Sequence, residues 1–358
     1  MKIKIFIFSF FINCFIPAFS QTTESAILYE NAYYELDSML SDLKPLDFKR
    51  AVFITENAYL NGELNYNEFN QIIIHYTNII KAYMDANKLV YNGIDYDNVA
   101  KNSAIFSFMT DTIWFEKNVP AHLPYKYDFE DFYGESDWSK MFVSKLIETG
   151  SGNCHSMPFL YKILAEELGA EAYLSLAPNH MYIKCRSEKT GWYNIELTSA
   201  MFPIDAWISA SGFVLLESIQ NGIFMDTLSL KQSIAYCLFD LAKGCEKKFG
   251  FSSNPFVFEC LDKTLEHYPN FINALIYKAE LLKKRFDIYM KLYGAKTYTD
   301  IMHLETPKEI YTEMESLYIK IIDLGYREMP KEMYIEWFST LKDNRDKYIN
   351  TKIMFNFK

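Results

Sequence analysis

The chain has 358 residues, half of them apolar and 23% charged, a globular composition that excludes a disordered tail or a collagen-like rod. Its 36 basic side chains against 46 acidic leave a net charge of −10, which argues against a general nucleic-acid binder, because phosphate recognition needs a basic surface. Only 13 glycines and an aromatic content of 17% predict a mostly helical protein with a large core.

Residues 1–20 read as a signal peptide: Lys2 and Lys4 precede an apolar run from Ile5 to Phe19, and small Ala18 and Ser20 stand before Gln21. The run falls short of the ~20 residues of a spanning helix. Phe11, Ile12 and Asn13 ahead of Cys14 do not make a lipidation site. The expected product is exported, periplasmic or secreted, with no integral membrane segment after signal removal. Cys154, Cys185, Cys237, Cys245 and Cys260 then remain, an odd number too sparse for a disulfide scaffold. Cys237 and Cys245 would lie about 12 Å apart along one helix and cannot bridge. The helical cysteines are expected to be small buried hydrophobes.

Residues 21–115 form an N-terminal helical region, with helices predicted over 25–40, 47–59, 67–86 and 98–114. Within it, Gly62, Leu64, Glu68 and Phe69 imitate a calcium loop, but Asn57 and Tyr59 occupy the positions where the principal carboxylates belong. A helix-loop-helix connection is expected there. A linker rich in Pro, Tyr and Asp covers 117–136, and a helix over 137–149 leads into a window crowded with glycine: Gly150, Gly152, Gly169, Gly191, Gly212 and Gly222. The core domain is assigned to 116–228. Residues 229–358 form a C-terminal helical region, with helices over 229–249, 254–267, 270–293, 306–324 and 330–348. Thr306-Pro307-Lys308-Glu309 has the form of a capping box, and Gly325 that of a helix stop.

The chemistry concentrates in Thr149-Gly-Ser-Gly-Asn-Cys-His-Ser-Met-Pro158, where a flexible turn delivers Cys154 to a helix N-terminus. Free N–H groups and the helix dipole there favour a thiolate. Strands follow over 172–177, 181–185 and 192–198, broken at Pro178-Asn179 and at Ser187 to Gly191. With a turn of three or five residues, Tyr182 lies opposite Glu196 and His180 opposite Thr198. Alternation then puts Met181, Ile183, Cys185, Tyr193, Ile195 and Leu197 on one apolar face, and His180 and Glu196 on the other as diagonal neighbours. A Cys154 helix packed on that second face brings Cys, His and Glu together.

The order Gly152-Asn153-Cys154, Glu167-Leu168-Gly169, Pro178-Asn179-His180 and Trp192-Tyr-Asn-Ile-Glu-Leu-Thr198 resembles the transglutaminase-like superfamily, over about residues 137–206. Glu196 stands where that family usually has aspartate, and Leu197 where proline is common. Thr264 to Ala279, with Pro269 between two helices and small Ala274 and Ala279, resembles a tetratricopeptide (TPR) helix junction. The resemblance implies an α+β, predominantly helical protein: a papain-like core of helix plus small antiparallel sheet, followed by TPR-like helices. It implies Cys154 as nucleophile, His180 as base and Glu196 as the group holding the imidazole. The Cys154 backbone N–H would supply part of an oxyanion hole. Gly152, Asn153 and His155 are candidates for oxyanion or turn support, Trp192 for the substrate cleft, and Asp205 for an alternative acid.

The expected activity is exported thiol-dependent acyl transfer, as a cysteine peptidase or amidase working through a thioester on a peptide or protein. The alternative is a non-catalytic scaffold that binds a peptide or protein partner. No HExxH or paired CxxC occurs, so no metal and no cofactor are expected. His75, His122, His267 and His303 have no distinguishing partners.

Overall fold

The computed structural model describes residues 23–116, 118–211, 213–250, 255–329 and 332–333. The signal segment and, apart from residues 332–333, the helix predicted over 330–348 lie outside these residues. Four helices open the chain: α1 (Thr23–Leu40), α2 (Phe48–Tyr59), α3 (Tyr66–Ala86) and α4 (Tyr96–Thr110). Then come β1 (Ile113–Glu116), β2 (Val119–His122), β3 (Lys126–Tyr127), a 3-10 turn (Trp138–Met141), α5 (Val143–Thr149), β4 (Ser151–Gly152) and α6 (Ser156–Leu168). A three-stranded sheet follows, β5 (Tyr173–Ala177), β6 (His180–Ser187) and β7 (Gly191–Ile195), with short α7 (Asp205–Ser211) and α8 (Leu216–Gln220). Long helices α9 (Leu230–Phe249), α10 (Pro255–His267), α11 (Ile272–Leu292) and α12 (Glu305–Asp323) complete the described fold. The class is α+β and predominantly helical.

Local chemistry explains most boundaries. Asp47 caps α2 by accepting the Arg50 N–H, and Asn65 caps α3 by accepting from Asn67 and Glu68. The loop between those helices is a connection, as expected: the Asn57 side-chain oxygen accepts the Leu64 N–H at 2.9 Å, inside the loop itself. Ser229 and Gln232 form a complete capping box at the start of α9. Gly150 and Gly169 end α5 and α6 in the left-handed region at φ 68° and 66°.

Four expectations about elements are corrected. The helix drawn to residue 114 stops at Thr110, where Asp111 turns extended, and aromatic Trp114 and Phe115 instead enter an antiparallel hairpin with β2. The stretch drawn as a linker over 117–136 contains β2 and β3 and a loop organised by Asp131, whose carboxylate accepts the N–H groups of Glu135, Ser136 and Asp137. The helix drawn over 137–149 breaks at extended Phe142. The expected capping box at Thr306 does not form either, since α12 starts one residue earlier with Leu304 as its cap.

One hydrophobic core runs from Tyr29 to Met329, across all three regions assigned from sequence. Its centre is α6, of which only Glu166 and Glu167 escape burial. A helix apolar all round must be enclosed on every side, and α6 packs against α2, α3, α4, α5, β5 and β6. Helix α9 lies against α1 and α2 as well as α10, which ties the C-terminal helices to the N-terminal ones. The free edge of β5 is covered by residues 225–228, whose N–H groups reach Leu176 and Leu174 carbonyls at 2.8 Å.

Candidate active site

The segment that carries Cys154 is fixed before the cysteine is reached. Strand β4 pairs parallel with β3, Lys126 opposite Ser151 and Tyr127 opposite Gly152. Gly152 has no room for a side chain: a Cβ there would stand 2.6 Å from Ser156 Oγ and 2.7 Å from Leu146 Cδ1. Ser156 Oγ cannot simply swing aside, because it accepts the Asn153 N–H at 3.1 Å. Gly152→Ala is therefore expected to cost about 1–3 kcal/mol through overpacking, read as a lower urea midpoint with unchanged slope, and to slow modification of the Cys154 thiol.

Asn153, fully buried, is the organiser of the turn. Its side-chain oxygen accepts the N–H groups of His155 and Ser156, both at 3.0 Å, and its amide donates to the Phe132 carbonyl at 3.1 Å. Both ends of this side chain are thus spent on the turn, and Asn153 acts as turn support rather than as a donor to substrate. The His155 ring is likewise committed, to the Met141 carbonyl and to Asp240. The first N–H groups of the α6 entry are satisfied by Asn153, which limits what the helix terminus offers directly to the sulfur.

The sheet supplies the other two residues. Pro178-Asn179 makes a two-residue turn, with Ala177 opposite His180 and Asn179 at φ 56°, a conformation that Asn tolerates. Strands β6 and β7 pair with Ser187 opposite Gly191 and Ile183 opposite Ile195, the register expected from a three-residue turn. The apolar set Met181, Ile183, Cys185, Tyr193, Ile195 and Leu197 is buried, as the alternation predicts. Glu196 lies one residue past β7. Its backbone exchanges hydrogen bonds with Met201 at 2.8 and 3.0 Å, and its Oε1 accepts the Thr198 N–H at 2.9 Å.

Glu196 Oε2 meets His180 Nε2 at 2.5 Å, and the Cys154 thiol is close enough to act on the same ring. Burial works against a charged ring, but Glu196 and Cys154 outweigh it and hold the His180 pKa up at about 10. Burial pushes Glu196 the opposite way, yet His180 and Thr198 bring it below the ordinary carboxylate value. The two shifts run in the direction that favours an imidazolium beside a carboxylate. Cys154, His180 and Glu196 are only 8%, 5% and 3% exposed.

Trp192 is not brought to this group. It stands four residues along β7 from Glu196, about 13 Å by strand rise, with its ring edge-on to Tyr173 at 5.8 Å. Asp205 accepts from Asn194 at 2.8 Å and lies 3.6 Å from Lys184, away from His180 in its bonding. His122 is a core histidine, stacked on Phe108 at 3.7 Å and held by burial at a pKa of about 4. The thiols of Cys185, Cys237, Cys245 and Cys260 are buried, and burial pushes those of Cys185, Cys237 and Cys260 upward.

Sequence reasoning missed the residues that close around the Cys154 turn from elsewhere. Tyr133 lies beside Cys154, next to the Phe132 carbonyl that Asn153 holds. Asp240 from α9 and Glu56 from α2 converge behind the turn, and Glu56 caps α5 by accepting the Val143 and Ser144 N–H groups at 2.6 and 2.9 Å. The available signal was a lone acid inside an apolar run: Asp240 between Phe239 and Leu241, and Glu56 after Ala51-Val-Phe-Ile-Thr. Among the described residues, no group of three His, Cys, Asp or Glu side chains is arranged to hold a metal, and no helix is long and apolar enough to cross a membrane.

No protein-family model and no curated protein sequence matches the chain. Among solved structures it is similar to menin, in a crystal structure described as revealing the binding site for the Mixed Lineage Leukemia (MLL) protein. Identity is 10%, 89% of each chain is covered, and the TM-score is 0.36, too low to make the two folds the same.

Proposed function

We propose that the protein is an exported cysteine-dependent acyl-transfer enzyme with a transglutaminase-like core, acting as a peptidase or amidase. The observation that carries this reading is the buried 2.5 Å contact between Glu196 and His180, with the Cys154 thiol close enough to act on the same ring. In the proposed reaction the Cys154 thiolate attacks the substrate carbonyl carbon, and His180 gives its proton to the departing amine, leaving an acyl thioester. Water then attacks the thioester, His180 takes the water proton, and the acid product leaves as the thiolate reforms. Glu196 holds the imidazole throughout and stabilises its charge whenever the ring is protonated. The Cys154 backbone N–H is assigned part of the oxyanion hole.

The C-terminal helices fit a TPR-like role in holding a peptide or protein: α10 and α11 meet at Pro269, and Ala274 and Ala279 are both fully buried. A second reading, a non-catalytic binding scaffold, draws on the low exposure of Cys154, His180 and Glu196, since a substrate carbonyl must reach a cysteine only 8% exposed. Profiling the folded protein with a thiol-directed acylating probe separates the two. The enzyme reading expects modification at Cys154 and none at Cys185, with Cys154→Ala silent; modification of neither thiol supports the scaffold.

A further inference from the structure

A second histidine–acid pair lies directly behind the nucleophile turn. His155 Nδ1 is 2.8 Å from the Met141 carbonyl, which can only accept, so Nδ1 carries a proton. Nε2 is 2.8 Å from Asp240 Oδ2, a carboxyl group presented by α9. Both side chains are buried, His155 at 6% and Asp240 at 7% exposure. The ring is also wedged between aromatic neighbours, with centroids 4.1 Å from Phe159 on α6 and 5.6 Å from Tyr236 on α9. The residue next to the nucleophile is thus held by three separate parts of the chain.

We propose that Asp240 is a positioning residue for Cys154: acting through His155, it clamps the nucleophile turn and keeps a protonated imidazole behind the sulfur. The inference rests on the acyl-transfer reading above and extends it to a residue on the C-terminal helices. Its chemistry is that of a buried cation beside a thiolate. With Nδ1 already donating to Met141, a carboxylate at Nε2 favours a second ring proton, and the positive ring favours negative charge on the adjacent cysteine.

Other ionisable groups face this pair. Burial disfavours the charged ring, but Asp240, the Met141 carbonyl and Cys154 outweigh it and raise His155 above the usual imidazole value. Glu56 approaches from α2; burial raises Asp240 above the ordinary carboxylate value, against the opposing pull of His155 and of Lys243 one turn further along α9. Cys237 and Tyr236 on α9 also feel the Asp240 charge. Glu56, His155, Cys237 and Asp240 line one small cavity with Thr55 and Trp138. Asp240 is the carboxyl group bonded to the ring; Glu56 is spent on the α5 cap.

The test is alkylation of the full-length folded protein with iodoacetamide from pH 5 to 9, following Cys154 by peptide mass spectrometry. In Asp240→Asn the amide can still donate to Nε2, so the clamp survives while the charge is lost. The rate at Cys154 at pH 7 is expected to fall about tenfold, and the midpoint of the rate–pH curve to rise by about one unit, with circular dichroism unchanged. Should that variant fail to fold, His155→Gln, neutral and able to reach both partners, carries the same expectation. A Cys154 that alkylates readily in wild type, with rate and pH midpoint unmoved in whichever of these variants folds, overturns the positioning role and leaves the acyl-transfer reading standing. A wild-type Cys154 that resists alkylation until the protein is denatured overturns both, and the wild-type arm alone reveals it.

Discussion

Replacing Glu196 by alanine is expected to destabilise the protein by about 3–5 kcal/mol, because it strands a buried histidine without its counter-charge. Glu196 is 3% exposed, so water cannot substitute for the lost carboxylate. The loss has a predicted pH dependence. The His180 pKa is raised from 6.5 to about 10, so its contribution is fully present below 6.5 and disappears as pH rises through about 10. Glu196 is lowered from 4.5, so its contribution is present above 4.5 and disappears as pH falls through the folded value. The stability difference between wild type and Glu196→Ala should therefore be greatest between about pH 4.5 and 6.5, and smaller at either side. Urea unfolding across pH 3 to 10 measures it; a difference that is flat with pH would show that the pair is not charged in the fold. Glu196→Gln separates charge from packing, since it keeps the volume and one hydrogen bond while removing the ion pair.

The second large effect is on reactivity. His180→Ala is expected to lower acylation of Cys154 by about 10²–10⁴-fold, the range typical of removing a positioned acid–base group. The sulfur loses both the proton acceptor on the ring and the positive charge that faces it. The other thiols provide the internal control: Cys185 is fully buried, its Sγ 3.4 Å from Asn102 Oδ1, and burial holds its pKa up. Labelling that persists at wild-type rate in His180→Ala would mean that Cys154 reacts as an ordinary thiol. The variant should also be checked by circular dichroism, because His180 opens β6 and contributes to the sheet.

The local part of this site was legible in the sequence because strand periodicity is strict. Once the turn at Gly191 fixed the register, a period of two put His180 and Glu196 on one face and Met181, Ile183, Tyr193 and Ile195 on the other. The glycines also read correctly for a physical reason: Gly150, Gly169 and Gly191 stand at positive φ, and Gly152 where a Cβ would collide. The hairpin of β1 and β2 was less legible. A few aromatic residues after a helical stretch fit either period, and the extended turn at Asp111 decided it.

Long-range convergence left the weakest trace. Asp240 reaches His155 across 85 positions, and Glu56 reaches Val143 across 87. Neither separation follows from periodicity, because each depends on α9 and α2 packing beside α5 and α6. The same packing joins residues from all three regions assigned from sequence in one hydrophobic core. The glycine-rich window carries Cys154, His180 and Glu196, but the groups that brace the cysteine turn come from helices on both sides of it. Trp192 shows the converse: an aromatic close in sequence to Glu196 is carried away from it by the extended rise of β7.

The central claim is that Cys154 accepts an acyl group with the help of His180. Its most direct test is mass spectrometry of the folded protein after brief exposure to an activated peptide ester. The account predicts a hydroxylamine-labile acyl adduct on Cys154, absent in Cys154→Ala and strongly reduced in His180→Ala. A folded protein in which Cys154 takes no acyl group, while the denatured chain is acylated there, would contradict it.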